Sequence, residues 1–289
     1  MIDNINWYPG HMKKTRELIQ SNLKAVDLVI EIVDSRIPDA SRNPIIDELV
    51  GSKTRIVVLG KSDLADENET RRWKRYLGRN GDRVIAMDTR SGGNVQQLFR
   101  ALEEIQKEKD KARSMSRPIR MMIVGVPNVG KSSLINRMIG KKSTRTGDKP
   151  GVTRGKQWVS LANGMQLLDT PGILWPKFED PETGLYLAFC GSIRDEILDV
   201  QDLAFELIKV LETRYPEALK TRYSLEQISE DTLENMDAIA LRRGFLKPGK
   251  RIDYERTGRT VLDEFRSGRL GRITLEAAPV IEGEGRADD

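Results

Sequence analysis

A glycine-rich segment at residues 125–132 has the residue types that bind phosphate groups. It reads Gly-Val-Pro-Asn-Val-Gly-Lys-Ser and matches G-x-x-x-x-G-K-S, with an apolar run before it and a helical pattern after it. Backbone N–H groups of such a loop and the following helix N-terminus attract phosphate oxygens. Lys131 would bridge the β- and γ-phosphates, and the Ser132 hydroxyl would bind Mg²⁺. These flanks disfavour the simpler interpretation, a turn with a chance lysine. The predicted phosphate-contacting residues are Asn128, Val129, Gly130, Lys131, Ser132 and Ser133.

Two downstream segments have the features of a switch that senses the γ-phosphate. Asp169-Thr-Pro-Gly172 matches D-x-x-G at the end of an apolar run. Asp169 would reach Mg²⁺ through a water molecule, and the Gly172 N–H would face the γ-phosphate. Between the two motifs, Thr153 follows a Pro-Gly pair and would complete the Mg²⁺ shell. Either segment alone could be an ordinary turn, so the prediction depends on their order and spacing.

A segment upstream of the phosphate loop has residues suited to recognising guanine. Gly60-Lys61-Ser62-Asp63 follows an apolar run. Asp63 would accept hydrogen bonds from the guanine ring N–H and exocyclic amine, and the stem of Lys61 would lie across the base. Asp88 and Thr89, after the next apolar run, are predicted to form a second base-side loop, although they also fit a plain turn. The motif order is therefore base loop, phosphate loop, D-x-x-G.

The pattern around these loops predicts an α/β fold. Apolar runs at 27–34, 55–60, 83–87 and 120–125 alternate with helical patterns at 67–77 and 95–111, which is typical of a parallel sheet covered by helices. Runs at 157–161 and 165–169 predict a hairpin at a sheet edge. After Pro176 the strand pattern stops, and helical patterns at 200–215, 216–223, 231–243 and 253–266 follow. We therefore expect a nucleotide-binding domain at 1–178, a small all-α domain at 179–280 and a disordered acidic tail at 281–289.

Composition and charge exclude several classes of protein. The 289 residues include one Cys and one His, which excludes a disulfide framework and a Cys/His zinc cluster. No apolar run approaches the roughly 18 residues of a membrane span, so we predict a cytoplasmic protein without membrane association. The net charge of +4 is unevenly distributed. Residues 1–172 carry 31 basic and 20 acidic side chains, 173–241 carry 6 and 15, and 242–272 carry 10 and 4. Such asymmetry favours a polyanionic partner for the basic parts, although a solvated surface is the commoner explanation.

Taken together, the motifs resemble the circularly permuted ribosome-assembly GTPases of the YlqF/RbgA type. The resemblance covers nearly the whole chain and rests on segments 7–12, 34–38, 41–44, 125–132, 150–153 and 169–178. It implies a circularly permuted P-loop GTPase domain, with GTP and Mg²⁺ as ligands. It also implies binding to the large ribosomal subunit and its rRNA late in assembly. Gly60 departs from the family pattern, which has Asn there, and we expect weaker nucleotide binding with guanine preference retained through Asp63.

The water-activating group is not evident from the D-x-x-G motif. Ile173 and Leu174 follow it, and aliphatic side chains cannot orient a water molecule. His11, in the N-terminal segment that resembles the family, is the candidate catalytic residue, with a structural histidine as the alternative. Asn128 matches the position that K⁺-dependent GTPases use as a cation ligand, so K⁺ could supply the charge of an arginine finger. A loop Asn favoured for its backbone geometry is the alternative.

The basic C-terminal segment is the candidate RNA contact. We expect RNA binding through Arg242, Arg243, Lys247, Lys250 and Arg251, because guanidinium and ammonium groups pair with backbone phosphates. The leading hypothesis is a monomeric GTP-hydrolysing assembly factor that the ribosomal particle stimulates. The alternative is a nucleotide-dependent RNA-binding module with negligible hydrolysis. A metabolic nucleotide kinase is disfavoured, since D-x-x-G and the base loop serve a switch and no acceptor site is evident.

Overall fold

The computed structural model describes residues 12–51, 53–140, 158–161, 163–168, 180–193, 195 and 198–281. A mostly parallel sheet with its helices forms the first part, as the alternating pattern predicts. Within the described ranges the sheet has six strands in the order β3-β2-β1-β4-β6-β5, and only β5 runs antiparallel to its neighbour. Their bounds are Leu28–Asp34 (β1), Thr54–Gly60 (β2), Arg83–Met87 (β3), Arg120–Val124 (β4), Trp158–Ser160 (β5) and Gln166–Leu168 (β6).

Strands are added to the sheet first on one side of β1 and then on the other, so the strand order reverses at the centre of the sheet. All seven residues of β1 are buried, as expected for a continuous apolar run covered on both faces. From β1 the chain proceeds through β2 to β3 at one edge. Strand β4 returns to the other side of β1, where Leu28 lies opposite Met121 and Glu31 opposite Val124. Open α/β sheets bind ligands at the carboxyl ends of strands beside such a switch point.

Helices cover this sheet with their apolar sides. Helix α3 buries Thr70, Trp73 and Leu77, and Asp66 caps its first turn by accepting a hydrogen bond from Glu69 N. The amphipathic patterns predicted at 67–77 and 95–111 thus form helices with nearly the expected bounds. The bounds are Met12–Leu23 (α1), Pro44–Val50 (α2), Glu67–Gly78 (α3), Val95–Lys111 (α4) and Lys131–Ile139 (α5).

The second part is predominantly helical. Its helices are Pro181–Phe189 (α6), Val200–Arg214 (α7), Pro216–Tyr223 (α8), Thr232–Arg243 (α9) and Tyr254–Arg266 (α10). Helix α7 packs against the other four. A short antiparallel ribbon of Leu246–Lys247 (β7) and Arg251–Ile252 (β8) interrupts the helices, a feature that we did not predict. Pro248 and Gly249 in its turn are the sequence signal for it.

The two parts share buried apolar contacts. One cluster of buried residues contains Ile30 and Ile32 of β1 together with Leu187, Leu203 and Phe265 of the helices. The domain boundary at 178/179 stays a prediction, because residues 171–179 lie outside the described ranges. Most of the acidic tail, 282–289, also lies outside them. Among the described helices, none has the length and apolarity needed to cross a bilayer.

Residues 270–278, which we call the C-terminal strap, run from α10 back to the first part. Ile273 N donates to Leu64 O at 3.0 Å, and Leu275 N donates to Arg36 O at 2.7 Å. The indole N–H of Trp73 in α3 donates to Glu276 O at 3.0 Å. The last described residues of the helical part therefore lie against the strand ends of the sheet.

Candidate functional site

The phosphate loop lies between β4 and α5, at the switch point of the sheet. Gly125 comes so close to β1 that an added Cβ would lie 2.4 Å from Ile32 O, which restricts this position to glycine. Gly130 has φ 111°, and a Cβ there would lie 2.8 Å from Thr89 Oγ1. Asn128 is also left-handed, with φ 57°. The loop therefore curls tightly into the first turn of α5, as phosphate cradles do.

Lys131 is buried at the start of α5 and folded back over the loop. Its Nζ donates to Gly125 O at 3.1 Å and to Val126 O at 2.8 Å, which fixes the ammonium group at the mouth of the loop. Ser132, the next residue, is exposed, so its hydroxyl is accessible to solvent at the helix N-terminus. This placement suits the phosphate and Mg²⁺ roles expected from the sequence.

The base loop begins where β2 ends and abuts the phosphate loop. A Cβ placed on Gly60 would lie 3.3 Å from Val129 O and 3.2 Å from the Ile32 side chain. Lys61 has φ 56°, and the exposed Asp63 follows at the end of the turn. The structure thus places the base loop beside the phosphate loop, although their first residues, Gly60 and Gly125, are 65 positions apart in the sequence.

The Lys61 ammonium contacts a buried carboxylate that the sequence argument did not assign to the site. It lies 2.9 Å from Asp34 Oδ2, and Asp34 also binds the Arg36 guanidinium through two hydrogen bonds of 2.9 and 2.8 Å. Burial by itself raises the pKa of Asp34, but the two cations outweigh it and hold that pKa well below its usual range. A permanent negative charge therefore anchors the lysine head at the end of β1.

Asp63 and Asp88 face the same region from neighbouring loops. Partial desolvation by the surrounding loops raises the pKa of the Asp63 carboxyl, and the negative charge of Asp88 adds to that effect. Asp88 in turn accepts hydrogen bonds from Arg90 N at 2.8 Å and Ser91 N at 3.1 Å, which closes an Asx turn. The second base-side loop predicted at 88–89 is thus close to the first.

Thr89 has a packing role in this loop. Its side chain is 2% exposed and lies against Gly130, so it braces the phosphate loop from the side of β3. A direct contact between Thr89 and the nucleotide stays a prediction. The predicted residues His11, Thr153, Asp169 and Gly172 lie outside the described ranges, and their roles also stay predictions.

The helical part touches the phosphate loop, which the motifs did not indicate. Asn128 Nδ2 donates to Gly191 O at 2.6 Å, and Ser192 Oγ donates to Pro127 O at 3.0 Å. Behind this contact, the Arg266 guanidinium of α10 donates to Phe189 O at 2.9 Å and pairs with Asp195. A chain of hydrogen bonds thus connects α10 to the phosphate loop.

The C-terminal strap reaches the base loop in the same way. Arg272 donates to Ser62 O at 3.0 Å and to Ala65 O at 2.8 Å. Asp66 N donates to Thr274 Oγ1 at 3.1 Å. Arg272 is one of the ten basic residues of 242–272, and its guanidinium binds the base loop of the same chain.

The candidate RNA-contacting residues are mostly exposed. Four of them are exposed side chains on or beside the β7-β8 ribbon, namely Arg242, Lys247, Lys250 and Arg251. Lys247 and Arg251 are register partners in the ribbon, and Lys250 lies in its turn with φ 59°. Arg243 is half-buried, pairs with Glu264 at 2.9 Å and lies over the Tyr223 ring, so it is tied to the helical core.

These features define a P-loop nucleotide-binding protein of the GTPase class, with a base loop that precedes the phosphate loop in the chain. A family model described as a 50S ribosome-binding GTPase matches residues 120–238, which begin at β4 and exclude the base loop. Ribosome biogenesis GTPase A of Priestia megaterium is 47% identical over 94% of this chain and 96% of its own length. The protein of the same name from Thermotoga maritima is 34% identical, with 94% of each chain covered. The chain belongs to the ribosome biogenesis GTPase A family, which the sequence motifs resemble.

Solved structures and a more distant relative agree with this assignment. The crystal structure of GNP-bound YlqF from T. maritima is similar with a TM-score of 0.67 and 30% identity, covering 93% of this chain and 100% of that one. Mitochondrial ribosome-associated GTPase 1 of Mus musculus is 35% identical over 95% of this chain and 90% of its own length. The α/β fold with permuted motifs is therefore confirmed.

Proposed function

We propose that this protein binds and hydrolyses GTP as an assembly factor for the large ribosomal subunit, and that the ribosomal particle stimulates hydrolysis. The approach of Gly60 to Val129 O carries the GTP assignment. A nucleotide with its phosphates in the phosphate loop then has its base beside Asp63. The printed names of the relatives and of the matching family support the ribosomal part. We further propose a monomer acting in the cytoplasm.

Different residues would bind the phosphates, the base and Mg²⁺. The Lys131 ammonium would neutralise charge on the β- and γ-phosphates, and the Asp63 carboxylate would select guanine over adenine. Mg²⁺ would be held by Ser132 with Thr153, and by Asp169 through water, and the Gly172 N–H would face the γ-phosphate. Bound Mg²⁺ neutralises the charge that develops during phosphoryl transfer.

Asn128 is proposed as a K⁺ ligand through its amide oxygen, since its amide nitrogen is held by Gly191 O. Comparing turnover in KCl and NaCl at one ionic strength tests this role. We expect faster turnover in KCl, and equal rates would contradict a specific K⁺ site.

His11 is proposed to position the attacking water. His11→Ala should lower kcat in the presence of large subunits by roughly 10² or more, because positioned acid–base groups typically contribute 10²–10⁴-fold. GTP affinity should stay unchanged. An unaltered kcat would assign His11 a structural role.

RNA contact is proposed at the exposed cations of the β7-β8 ribbon and the adjoining end of α9, which are Arg242, Lys247, Lys250 and Arg251, with Arg243 beside them. Binding by such contacts releases condensed counterions, so subunit affinity should fall steeply with salt.

GTP turnover with purified large subunits, small subunits or no particle tests the whole proposal. We expect stimulation by large subunits only and loss of turnover in Lys131→Ala, which removes the phosphate-binding ammonium. GTP-dependent binding to subunits without turnover would favour the alternative, a nucleotide-dependent RNA-binding module.

A further inference from the structure

Helix α3 presents a cationic surface that none of the proposed roles uses. Four residues on its solvent side are exposed, and we call them the α3 cationic face: Arg71, Arg72, Lys74 and Arg75. The helix cannot rotate to hide them, because Trp73 and Leu77 are buried on the opposite side. Trp73 is further held by its hydrogen bond to Glu276 O. The orientation of these charges is thus fixed by the core.

Acidic residues of α3 offset only part of this charge. Glu67 and Glu69 are confined to the first turn. Glu69 binds Arg72 at 2.8 Å and also accepts a hydrogen bond from Ala278 N, while Glu67 pairs with Arg272 of the strap. Arg71 is oriented by a neutral group, the Asn68 side-chain oxygen at 2.5 Å, and keeps its full charge.

A groove of about 650 Å³ is lined by Asn68 and the α3 cationic face. Helix α4 of the same domain has 4 basic and 4 acidic residues, so it has no comparable excess of positive charge. The exposed large apolar side chains of the described residues all lie elsewhere. The groove therefore suits an extended polyanion better than an apolar peptide.

We infer that the α3 cationic face contacts the phosphate backbone of folded rRNA, which gives the GTPase domain its own RNA site separate from the β7-β8 ribbon. This inference rests on the proposed ribosomal function for the identity of the RNA. Three of the four cations are arginines, whose planar fork binds phosphate oxygens in pairs. Folded RNA is recognised largely through such backbone contacts and shape.

The site adjoins the base loop along the chain. Helix α3 begins four residues after Asp63, and its capping residue Asp66 is bound to the C-terminal strap through Thr274. RNA on this face would therefore lie against an element that continues directly from the base-recognition loop.

A matched pair of double charge reversals tests the inference in the full chain. Arg71→Glu with Lys74→Glu alters the α3 cationic face, and Arg100→Glu with Lys107→Glu makes the same change at exposed positions of α4. Binding is measured to purified large subunits and to rRNA extracted from them, between 50 and 200 mM salt. GTP affinity of both variants serves as the folding control.

Loss of two phosphate contacts should lower the salt slope by about 1.4 to 1.8, since each contact contributes about 0.7 to 0.9. The affinity advantage of the wild type over the α3 variant should then shrink about 7- to 12-fold from 50 to 200 mM salt. The α4 variant should keep the wild-type slope, and GTP affinity should stay unchanged in both.

Equal rRNA binding by the α3 and α4 variants would overturn the inference. If Lys250→Glu with Arg251→Glu weakens binding in that case, the proposed function stands without the α3 site. Weaker binding to subunits but unchanged binding to naked rRNA would assign the face to a ribosomal protein and also overturn the RNA contact. No binding of wild type to either probe would refute both proposals.

Discussion

Replacing Gly60 by Asn should tighten GTP binding, because it restores an amide between the base loop and the phosphate loop. A Cβ at this position lies 3.3 Å from Val129 O, so an Asn side chain can donate to that carbonyl or reach the purine ring. A net hydrogen bond contributes about 0.5 to 1.5 kcal/mol. The expected gain in affinity is therefore roughly 2- to 12-fold.

The opposing effect is steric. The same Cβ lies 3.2 Å from two carbons of the Ile32 side chain, which is a tight contact. The far end of an Ile side chain can shift by a few tenths of an ångström, but overpacking in a close-packed interior typically costs about 1 to 3 kcal/mol of stability. Gly60→Ala carries this steric cost without the amide, and Ile32→Val combined with Gly60→Asn reduces it.

Calorimetric titration of GTP and ATP against the wild type and these variants separates the two effects. We expect Gly60→Ala to bind GTP like the wild type within about twofold and Gly60→Asn to bind it more tightly. ATP should bind weakly to all of them, because Asp63 is unchanged. Equal affinities of the Ala and Asn variants, with and without Ile32→Val, would refute the amide argument. Equal affinity of the wild type for GTP and ATP would refute the role of Asp63.

Three further predictions follow from contacts around the site. Asp63→Asn should weaken GTP binding by roughly 10- to 150-fold, since hydrogen bonds to charged groups contribute about 1.5 to 3 kcal/mol, and it should improve binding of xanthosine triphosphate, whose oxo group matches an amide. Titration of both nucleotides checks this, and unchanged GTP affinity would exclude Asp63 from the base site. Burial raises the pKa of Glu276 to about 8, so the folded state retains a proton that the unfolded state loses above about pH 4.5, and the free energy of unfolding should fall as pH rises from about 4.5 to 8. Glu276→Gln should flatten that dependence in denaturant titrations, and a pH profile identical to that of the wild type would contradict the prediction. Arg266→Ala should destabilise the protein by about 2 to 3 kcal/mol, because it removes the guanidinium that donates to Phe189 O and pairs with the Asp195 carboxylate. Arg259→Ala on the same helix, with its exposed Glu255 partner, should cost less than about 0.5 kcal/mol; thermal unfolding compares the two variants, and equal shifts would refute the anchoring role.

Local sequence patterns were sufficient to predict the sheet and the phosphate loop. The apolar runs of β1 and β4 and the spacing of Gly125, Gly130 and Lys131 are visible in short stretches of sequence, and chain direction then places the carboxyl ends of the two strands together. The phosphate-loop motif could be read directly, and the family match confirms the GTPase class that it indicates. These features depend on residues close together in the chain.

Contacts between distant segments could not be predicted in this way. Nothing in the sequence around Asn128 indicates that its amide donates to Gly191 O, and nothing around Arg272 indicates that its guanidinium donates to Ser62 O. Asp34 lies in a segment that the family resemblance included, yet its ion pair with Lys61 depends on strand pairing between β1 and β2. The β7-β8 ribbon is too short to have a periodic pattern of its own.

The C-terminal strap has a consequence for how the protein is made. The hydrogen bond from Asp66 N to Thr274 Oγ1 joins residues 208 positions apart, so the strap is synthesised well after the base loop. At about 5 to 20 residues per second, the base loop waits roughly 10 to 40 s for this partner. The nascent chain can complete β1, β2 and β3 early, but the backbone of its base loop acquires its full set of hydrogen bonds only after the strap has been synthesised. The base-recognition side of the nucleotide site is thus completed only after the whole helical part has been synthesised.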